Sequence, residues 1–401
     1  MKIAIVTPFG AEERLDGFAE FLIAQHLVAD GFTVRFYTYS LSNVLEYSRK
    51  RLKYKTVPTV RCKQRYGFAP WLILDILRFR PKLVMLCHIR SLLNLSGYIA
   101  ARLVGAKVVF KVIGFLHDPC VVADRDNPLE TVHPMIELFG SIRALLRSFS
   151  RKKSSGCGRW ENFVMHFPMM KADRLITITE FERGWVKKIT GCDSVLVPWG
   201  VKLVAENATE SAPDLPAGCP TNGYLLFVGQ VKRRKGWDTI LEAVHLLKLR
   251  GVKKDLVFVT SSSSEQQEVA FDLVKILEIG DRVHFLHRIS NEEKAWLYRR
   301  ATGLLAPSRY EGFGLTPFEA FDFGVPVFGT DIPVYSNFLT DGYNALISKK
   351  GDSEMLAQNI QRLDHPGVRE QLIAGGKETV VKYTDEQVYK AYLAAVQDLI
   401  R

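Results

Sequence analysis

The chain of 401 residues is poor in cysteine, and its six cysteines (Cys62, Cys87, Cys120, Cys157, Cys192 and Cys219) are scattered with no C-x-x-C pair. Neither a metal cluster nor a disulfide framework is expected, and a reducing compartment suits them better. Long apolar runs are also missing. The longest, Leu92 to Leu116, is broken by Arg102, Lys107 and Lys111, and fails the test of about 18 uninterrupted apolar residues for a membrane span. The opening MKIAIVTPFG is too short for a signal peptide and runs directly into a strand-like pattern. There is no G-x-G-x-x-G, no G-x-x-x-x-G-K-[ST] and no zinc-ligand spacing. Short-period repeats and low-complexity segments are absent too. With hydrophobic residues at 47% and charged residues at 24%, disorder is not expected over most of the chain.

What is present begins with charge. The net charge is +11, and residues 1–200 hold 30 Lys+Arg against 17 Asp+Glu, whereas the remainder holds 24 against 26. The basic excess belongs to the N-terminal half and points to an anionic partner: a membrane surface, a phosphorylated lipid or nucleic acid. Strand-like runs at Lys2–Val6, Thr33–Thr38, Val57–Cys62, Lys82–Cys87, Lys107–Ile113, Arg174–Ile178 and Ser194–Val197 alternate with helical patterns, among them Gly17–Asp30. The second half repeats this at Tyr224–Val228, Leu256–Thr260, Arg282–Leu286, Gly303–Ala306 and Val325–Phe328, with a helix at Trp237–Arg250 and a capping box at Ser290 and Glu293. Alternation of this kind implies an α/β fold of two doubly wound domains, each a parallel sheet covered on both faces. The expected limits are a first domain over 1–205, a Pro- and Gly-rich linker over 206–222, a second domain over 223–383, and a C-terminal helix over 384–401 that packs back onto the first. Ligands in such folds sit beyond the carboxyl ends of the strands, and two such edges can face each other across a cleft.

The richest motif is Tyr310-Glu-Gly-Phe-Gly-Leu-Thr-Pro-Phe-Glu319, between a strand and a helix. Thr316 fits an N-cap, Pro317 the first helical position and Glu319 the third. Gly312 and Gly314 let the backbone approach a ligand closely, and the free N–H groups at the helix start favour an anion such as a diphosphate. Glu311 and Glu319 would accept hydrogen bonds from sugar hydroxyls. The competing reading is a capped turn in which Glu319 merely satisfies the N-cap amide; Glu311 has no such structural excuse. A second element, Gly229-Gln-Val-Lys-Arg-Arg-Lys-Gly236, sets Lys232, Arg233, Arg234 and Lys235 at the end of a strand, as a phosphate clamp or a solvated loop.

These motifs resemble retaining glycosyltransferase family 4, which has the two-domain GT-B fold. The resemblance rests on the Glu-x7-Glu spacing of Glu311 and Glu319, on Pro307-Ser308 before them, on Phe323-Gly-Val-Pro-Val327 after them, and on Pro198-Trp-Gly-Val201, where Trp199 replaces an Asn. It implies that Glu311 holds donor-sugar hydroxyls, that Glu319 holds the ribose, and that the backbone of Gly312, Phe313, Gly314, Leu315 and Thr316 contacts sugar and diphosphate. Lys235 matches the family lysine. Gln230 stands where the family has arginine, with Arg233 or Arg234 as substitutes. His117, in Gly114-Phe-Leu-His117, matches a family histidine near the donor sugar and phosphate, and Gly17 matches one of the family's paired glycines. Asp124-Arg-Asp126 looks like a metal-binding Asp-x-Asp, but an acidic surface loop is the preferred reading.

The implied function is retaining, metal-independent transfer of a hexose-type sugar from a nucleoside-diphosphate sugar to a glycan or lipid-linked acceptor, with no cofactor. Glu311, Lys235 and His117 would serve the reaction directly. Two alternatives stand beside it: a binding or scaffold protein that kept the fold and lost catalysis, and a sugar-nucleotide epimerase. Two basic tracts, Arg49 to Arg65 and Arg143 to Arg159, carry aromatic and apolar neighbours such as Tyr54, Trp71, Leu146 and Trp160. They read equally as solvated loops or as a membrane-surface patch. No nucleic-acid module is visible, so no nucleic acid partner is expected. The expected location is cytoplasmic, and the membrane-surface reading would put the protein at the inner face.

Overall fold

The computed structural model describes residues 1–8, 19–39, 46–49, 52–57, 67–89, 91–118, 121–132, 138, 140–148 and 158–400. The chain forms two compact units, one of residues 1–200 with 385–401 and one of residues 201–384.

The first unit contains β1 (Lys2–Val6), α1 (Ala19–Ala29), β2 (Thr33–Tyr39), β3 (Glu46–Arg49), β4 (Leu52–Val57), α2 (Pro70–Phe79), β5 (Leu83–Cys87), α3 (Leu92–Leu103), β6 (Lys107–Lys111), α4 (Ile142–Ser148), α5 (Arg159–Met170), β7 (Arg174–Thr177), α6 (Glu180–Thr190) and β8 (Val195–Leu196). Its eight-stranded sheet runs β3-β4-β2-β1-β5-β6-β7-β8, parallel except for the edge hairpin β3–β4. The centre strand β5, Leu-Val-Met-Leu-Cys, is buried throughout, as a strand covered on both faces must be. A strand occupies Leu52–Val57; of the strand expected at Val57–Cys62, residues 58–62 are outside the described residues.

The second unit contains β9 (Tyr224–Val228), α7 (Trp237–Leu249), β10 (Leu256–Thr260), α8 (Ser264–Ile276), β11 (Val283–His287), α9 (Asn291–Arg300), β12 (Ala301–Leu305), α10 (Leu315–Asp322), β13 (Val327–Thr330), β14 (Ala345–Ser348), α11 (Ser353–Arg362) and α12 (Val368–Val381). Its six parallel strands run β11-β10-β9-β12-β13-β14, so the order reverses between β9 and β12. The expected capping box is present: Ser290 accepts from the Glu293 N–H, and Glu293 accepts from the Ser290 N–H. Residues 206–222, the expected linker, fall within the second unit; Glu210 pairs with Arg299 and Arg300 of α9.

The last helix, α13 (Asp385–Ile400), returns to the first unit. Its apolar face, Val388, Tyr389, Tyr392, Ala395 and Val396, joins the core of Ile3, Ile5, Phe21 and Phe36. The Tyr389 hydroxyl donates to Asp30 at 2.6 Å, and its ring stacks on His26 with centroids 4.9 Å apart. Each unit is thus a doubly wound Rossmann-like layer structure, the pair that defines the GT-B fold.

Candidate functional site

In an open parallel sheet a ligand sits beyond the carboxyl ends of the two strands where the order reverses, because their following loops turn to opposite faces and leave a crevice. In the second unit those strands are β9 and β12. The loop after β9 carries Gln230 to Gly236, and the loop after β12 carries Pro307 to Gly314. Both predicted motifs therefore meet at the switch point.

The two loops are joined by their backbones. The Arg234 carbonyl accepts from the Arg309 N–H at 2.7 Å and from the Tyr310 N–H at 3.3 Å. Gly236 takes φ 67° and lies so close to Pro307 that a Cβ would stand 2.0 Å from its carbonyl oxygen, so only glycine fits. Arg309 adds a side-chain clasp, donating to Asp238 Oδ2 at 2.9 Å and to Thr239 Oγ1 at 3.0 Å.

Within this frame Glu311 is buried and anchored. Its Oε1 accepts from Lys235 Nζ at 2.5 Å and from Ser308 Oγ at 2.8 Å. Its Oε2 is 3.4 Å from the Arg234 guanidinium. Burial pushes the carboxyl upward, but Lys235 and Arg234 outweigh it and hold the group below the usual carboxylate range. Glu311 is accordingly an ionised acceptor at neutral pH. Two cations against one carboxylate leave a surplus positive charge beside it. Of the sequence-predicted cations, Arg234 joins this cluster, whereas Arg233 is exposed and contributes its carbonyl to Arg309. Half-buried Gln230 follows β9 and accepts from the Lys232 N–H through its carbonyl.

The helix beyond Glu311 begins earlier than expected. Its N-cap is Gly314, not Thr316, and no side chain caps it. Gly314 takes φ 91°, a region that favours glycine and turns the chain into α10 two residues ahead of the Thr-Pro pair. Thr316 and Pro317 fall inside the first turn, where proline is still tolerated because its missing N–H has no helical partner. Glu319 is therefore not a capping residue. It accepts from Lys294 Nζ at 2.7 Å and from the Tyr298 hydroxyl at 2.9 Å. The uncapped amides at the start of α10 remain donors for an anion. Gly312, Leu315 and Thr316 are half-buried here. The Phe313 ring is buried, stacked on Phe318 with centroids 5.2 Å apart, so its backbone alone is available to a ligand.

In the first unit His117 closes a short 3-10 turn, Phe115–His117, beyond β6. Gly17 lies outside the described residues. Asp124 Oδ1 accepts from the Asp126 N–H at 2.8 Å, and Thr131 braces the same exposed loop, the geometry of an Asx turn. Among the described residues no group of three or more His, Cys, Asp or Glu could hold a metal ion.

Sequence reasoning missed Arg309 and Tyr335, which support the site. Tyr335 packs beneath Gly314, where a Cβ would stand 2.6 Å from its ring, and its hydroxyl reaches Ser308 at 3.4 Å. Neither residue belongs to a spacing pattern. The loop that carries Arg309 was the only available signal.

Residues 220–379 match the family model for glycosyl transferases group 1. The second unit is a glycosyl transferases group 1 domain. The relatives agree with the resemblance read from Glu311 and Glu319. A phosphatidyl-myo-inositol mannosyltransferase of Mycobacterium leprae is 30% identical over 52% of this chain and 54% of its own. A lipopolysaccharide core biosynthesis mannosyltransferase, LpcC of Rhizobium leguminosarum, is 31% identical over 41% of this chain and 48% of its own. The chain thus spans about half the length of these relatives. Among solved structures, sucrose-phosphate synthase of Thermosynechococcus elongatus covers 100% of this chain and 99% of its own, with TM-score 0.72 and 19% identity. Anabaena HepE in complex with UDP-glucose covers 99% and 100%, with TM-score 0.68 and 12% identity. These likenesses extend the fold assignment over both units.

Proposed function

We propose that the protein is a retaining glycosyltransferase that moves a hexose-type sugar from a nucleoside-diphosphate sugar to a glycan or lipid-linked acceptor without a metal. The observation that carries this reading is the convergence of Lys235 and Arg234 on the buried Glu311 carboxylate, beside the uncapped start of α10. The surplus positive charge and the helix amides suit a diphosphate, and stabilise it further as the leaving group gains charge. The ionised Glu311 accepts from sugar hydroxyls. Glu319, already oriented by Lys294 and Tyr298, accepts from the ribose. Arg234 supplies the cation that Gln230 does not. His117 takes part in transfer, as the family resemblance implies. A mannose donor is favoured by the two relatives named above, both of which are mannosyltransferases. Retention follows the family resemblance and requires no enzyme nucleophile.

The lipid-linked acceptor and attachment at the inner membrane face draw support from the first unit. Ile142 and Leu146 of α4 and Trp160 of α5 are exposed large apolar side chains beside Arg143, Arg147 and Arg159, a composition that suits an anionic interface. All of the other basic tract, residues 49–65, lies outside the described residues or has undescribed side chains. No helix among the described residues is long and apolar enough to cross a membrane. Binding to anionic vesicles at low salt tests this part, and failure to sediment with them removes it. The activity itself is tested by incubation with uridine and guanosine diphosphate sugars. Release of nucleoside diphosphate with sugar transfer, unaffected by EDTA and lost in Glu311→Gln, is expected. Activity that survives that substitution would sink the site assignment.

A further inference from the structure

The turn that carries His117 is held at both ends by buried acidic side chains. Gly114 enters it in the left-handed region at φ 76°. The His117 N–H then donates to the Gly114 carbonyl at 2.9 Å, and the Asp118 N–H to the Phe115 carbonyl at 3.3 Å. At the front, the Phe115 N–H donates to Glu182 Oε1 at 3.0 Å. Glu182 lies in the first turn of α6, which follows β7, the sheet neighbour of β6. At the back, Asp118 Oδ2 lies 2.6 Å from His166 Nε2, and His166 Nδ1 lies 2.9 Å from the Asn162 carbonyl, both residues on α5.

The orientation of Glu182 is not what its own helix needs. Thr179 is the N-cap and accepts from the Glu182 N–H at 3.0 Å. The sequence Thr-x-x-Glu would ordinarily complete a capping box by sending the glutamate back to the Thr179 amide. Here the carboxylate reaches across to Phe115 instead. It is buried, and its second oxygen has no hydrogen-bond partner. Burial pushes its carboxyl up to about 7, against the pull of the Phe115, Ile178 and Gly114 amides and of Lys111. A buried acid with one open oxygen costs stability, which favours a role in the site over a role in folding.

We propose that Glu182 is a positioning residue that fixes the Gly114–His117 turn, and through it the His117 imidazole, for sugar transfer. The proposal rests on the reading that His117 takes part in transfer. A displacement of about 1 Å at a reacting group costs roughly a hundredfold in rate, so the loss of this tether should fall on kcat. Asp118 with His166 holds the far end of the turn and limits that loss.

The test measures nucleoside diphosphate release from whichever uridine or guanosine diphosphate sugar the wild type accepts. Glu182→Ala is expected to lower kcat about tenfold or more while the donor KM stays within about twofold. Glu182→Gln keeps a carbonyl acceptor for the Phe115 N–H and should restore most of kcat. In a His117→Ala background Glu182→Ala should add less than about twofold, because its effect passes through His117. An unchanged kcat in Glu182→Ala, beside a crippled His117→Ala, overturns the proposal. So does an equal loss in both backgrounds. If His117→Ala itself turns over donor like the wild type, the underlying reading fails and takes the proposal with it. Should Glu182→Ala not fold, Glu182→Asp, which shortens the reach by one methylene, replaces it, with the same double-variant comparison and a melting curve to establish the fold.

Discussion

Glu311→Ala should do two things that a simple ligand contact would not. It removes the carboxylate that pairs with Lys235 and Arg234 and leaves the Ser308 hydroxyl with Tyr335 as its remaining side-chain partner. Breaking a fully buried ion pair by deleting one partner costs about 3–5 kcal/mol. The Lys235 and Arg234 side chains are each 20% exposed, so water recovers part of that, and roughly 2–3 kcal/mol is expected. For a unit of this size the melting temperature of the ligand-free protein should fall by roughly 5–10 °C, with turnover down by about 10²–10³. Adding Lys235→Met to Glu311→Ala removes a stranded cation, and should recover about 1 kcal/mol of stability but none of the turnover. Differential scanning calorimetry and nucleoside diphosphate release read the two effects separately. The reasoning is refuted if Glu311→Ala melts with the wild type, or if Lys235→Met destabilises it further.

Other expectations follow from the same geometry. Gly236→Ala meets both a left-handed backbone and the Pro307 carbonyl, and should cost about 3 kcal/mol or more by urea denaturation. Arg234→Ala should weaken nucleoside diphosphate binding by about tenfold or more in calorimetric titration, whereas Gln230→Arg should improve it by less than about threefold because Arg234 already supplies the charge. Glu182 is raised from 4.5 to about 7 by burial, against the lowering pull of neighbouring amides and Lys111. Between those values the unfolded chain has released its proton and the folded chain has not, so stability falls as pH rises through that window. Glu182→Gln should flatten this fall by on the order of 2–3 kcal/mol in the first unit's melting profile. An unaltered pH slope would count against the buried, protonated carboxyl.

Much of this architecture was legible because parallel strands buried on both faces read as short continuous apolar runs. Leu83–Cys87, Tyr224–Val228 and Leu256–Thr260 are of this kind. The hairpin of Glu46–Arg49 with Leu52–Val57 was not legible, since its Lys- and Arg-rich sequence reads as a basic tract. The start of α10 was misplaced because Thr316-Pro317 imitates a capped first turn, while the residue that sets the boundary is Gly314 through its positive φ. In the site, Glu311 and Lys235 were visible as motif residues, but not that they pair with each other. That pairing spans 76 residues and depends on two loops meeting at a strand-order reversal. The Arg309 clasp to Asp238 was equally hidden, 71 residues away. Glu182 carries no signal in the sequence beyond a Thr-x-x-Glu helix start, and only its tertiary environment turns the side chain towards Phe115.

The central claim is that the Lys235–Arg234–Glu311 cluster binds the diphosphate of a nucleotide sugar. Its most direct test is a thermal-shift titration of the wild type and Lys235→Ala with uridine and guanosine diphosphate sugars. One donor class should raise the wild-type melting temperature saturably, by an amount that corresponds to about 2.7 kcal/mol at a hundred times Kd, and Lys235→Ala should lose most of that shift at the same concentration. No shift with either donor class, or an equal shift in Lys235→Ala, would contradict it.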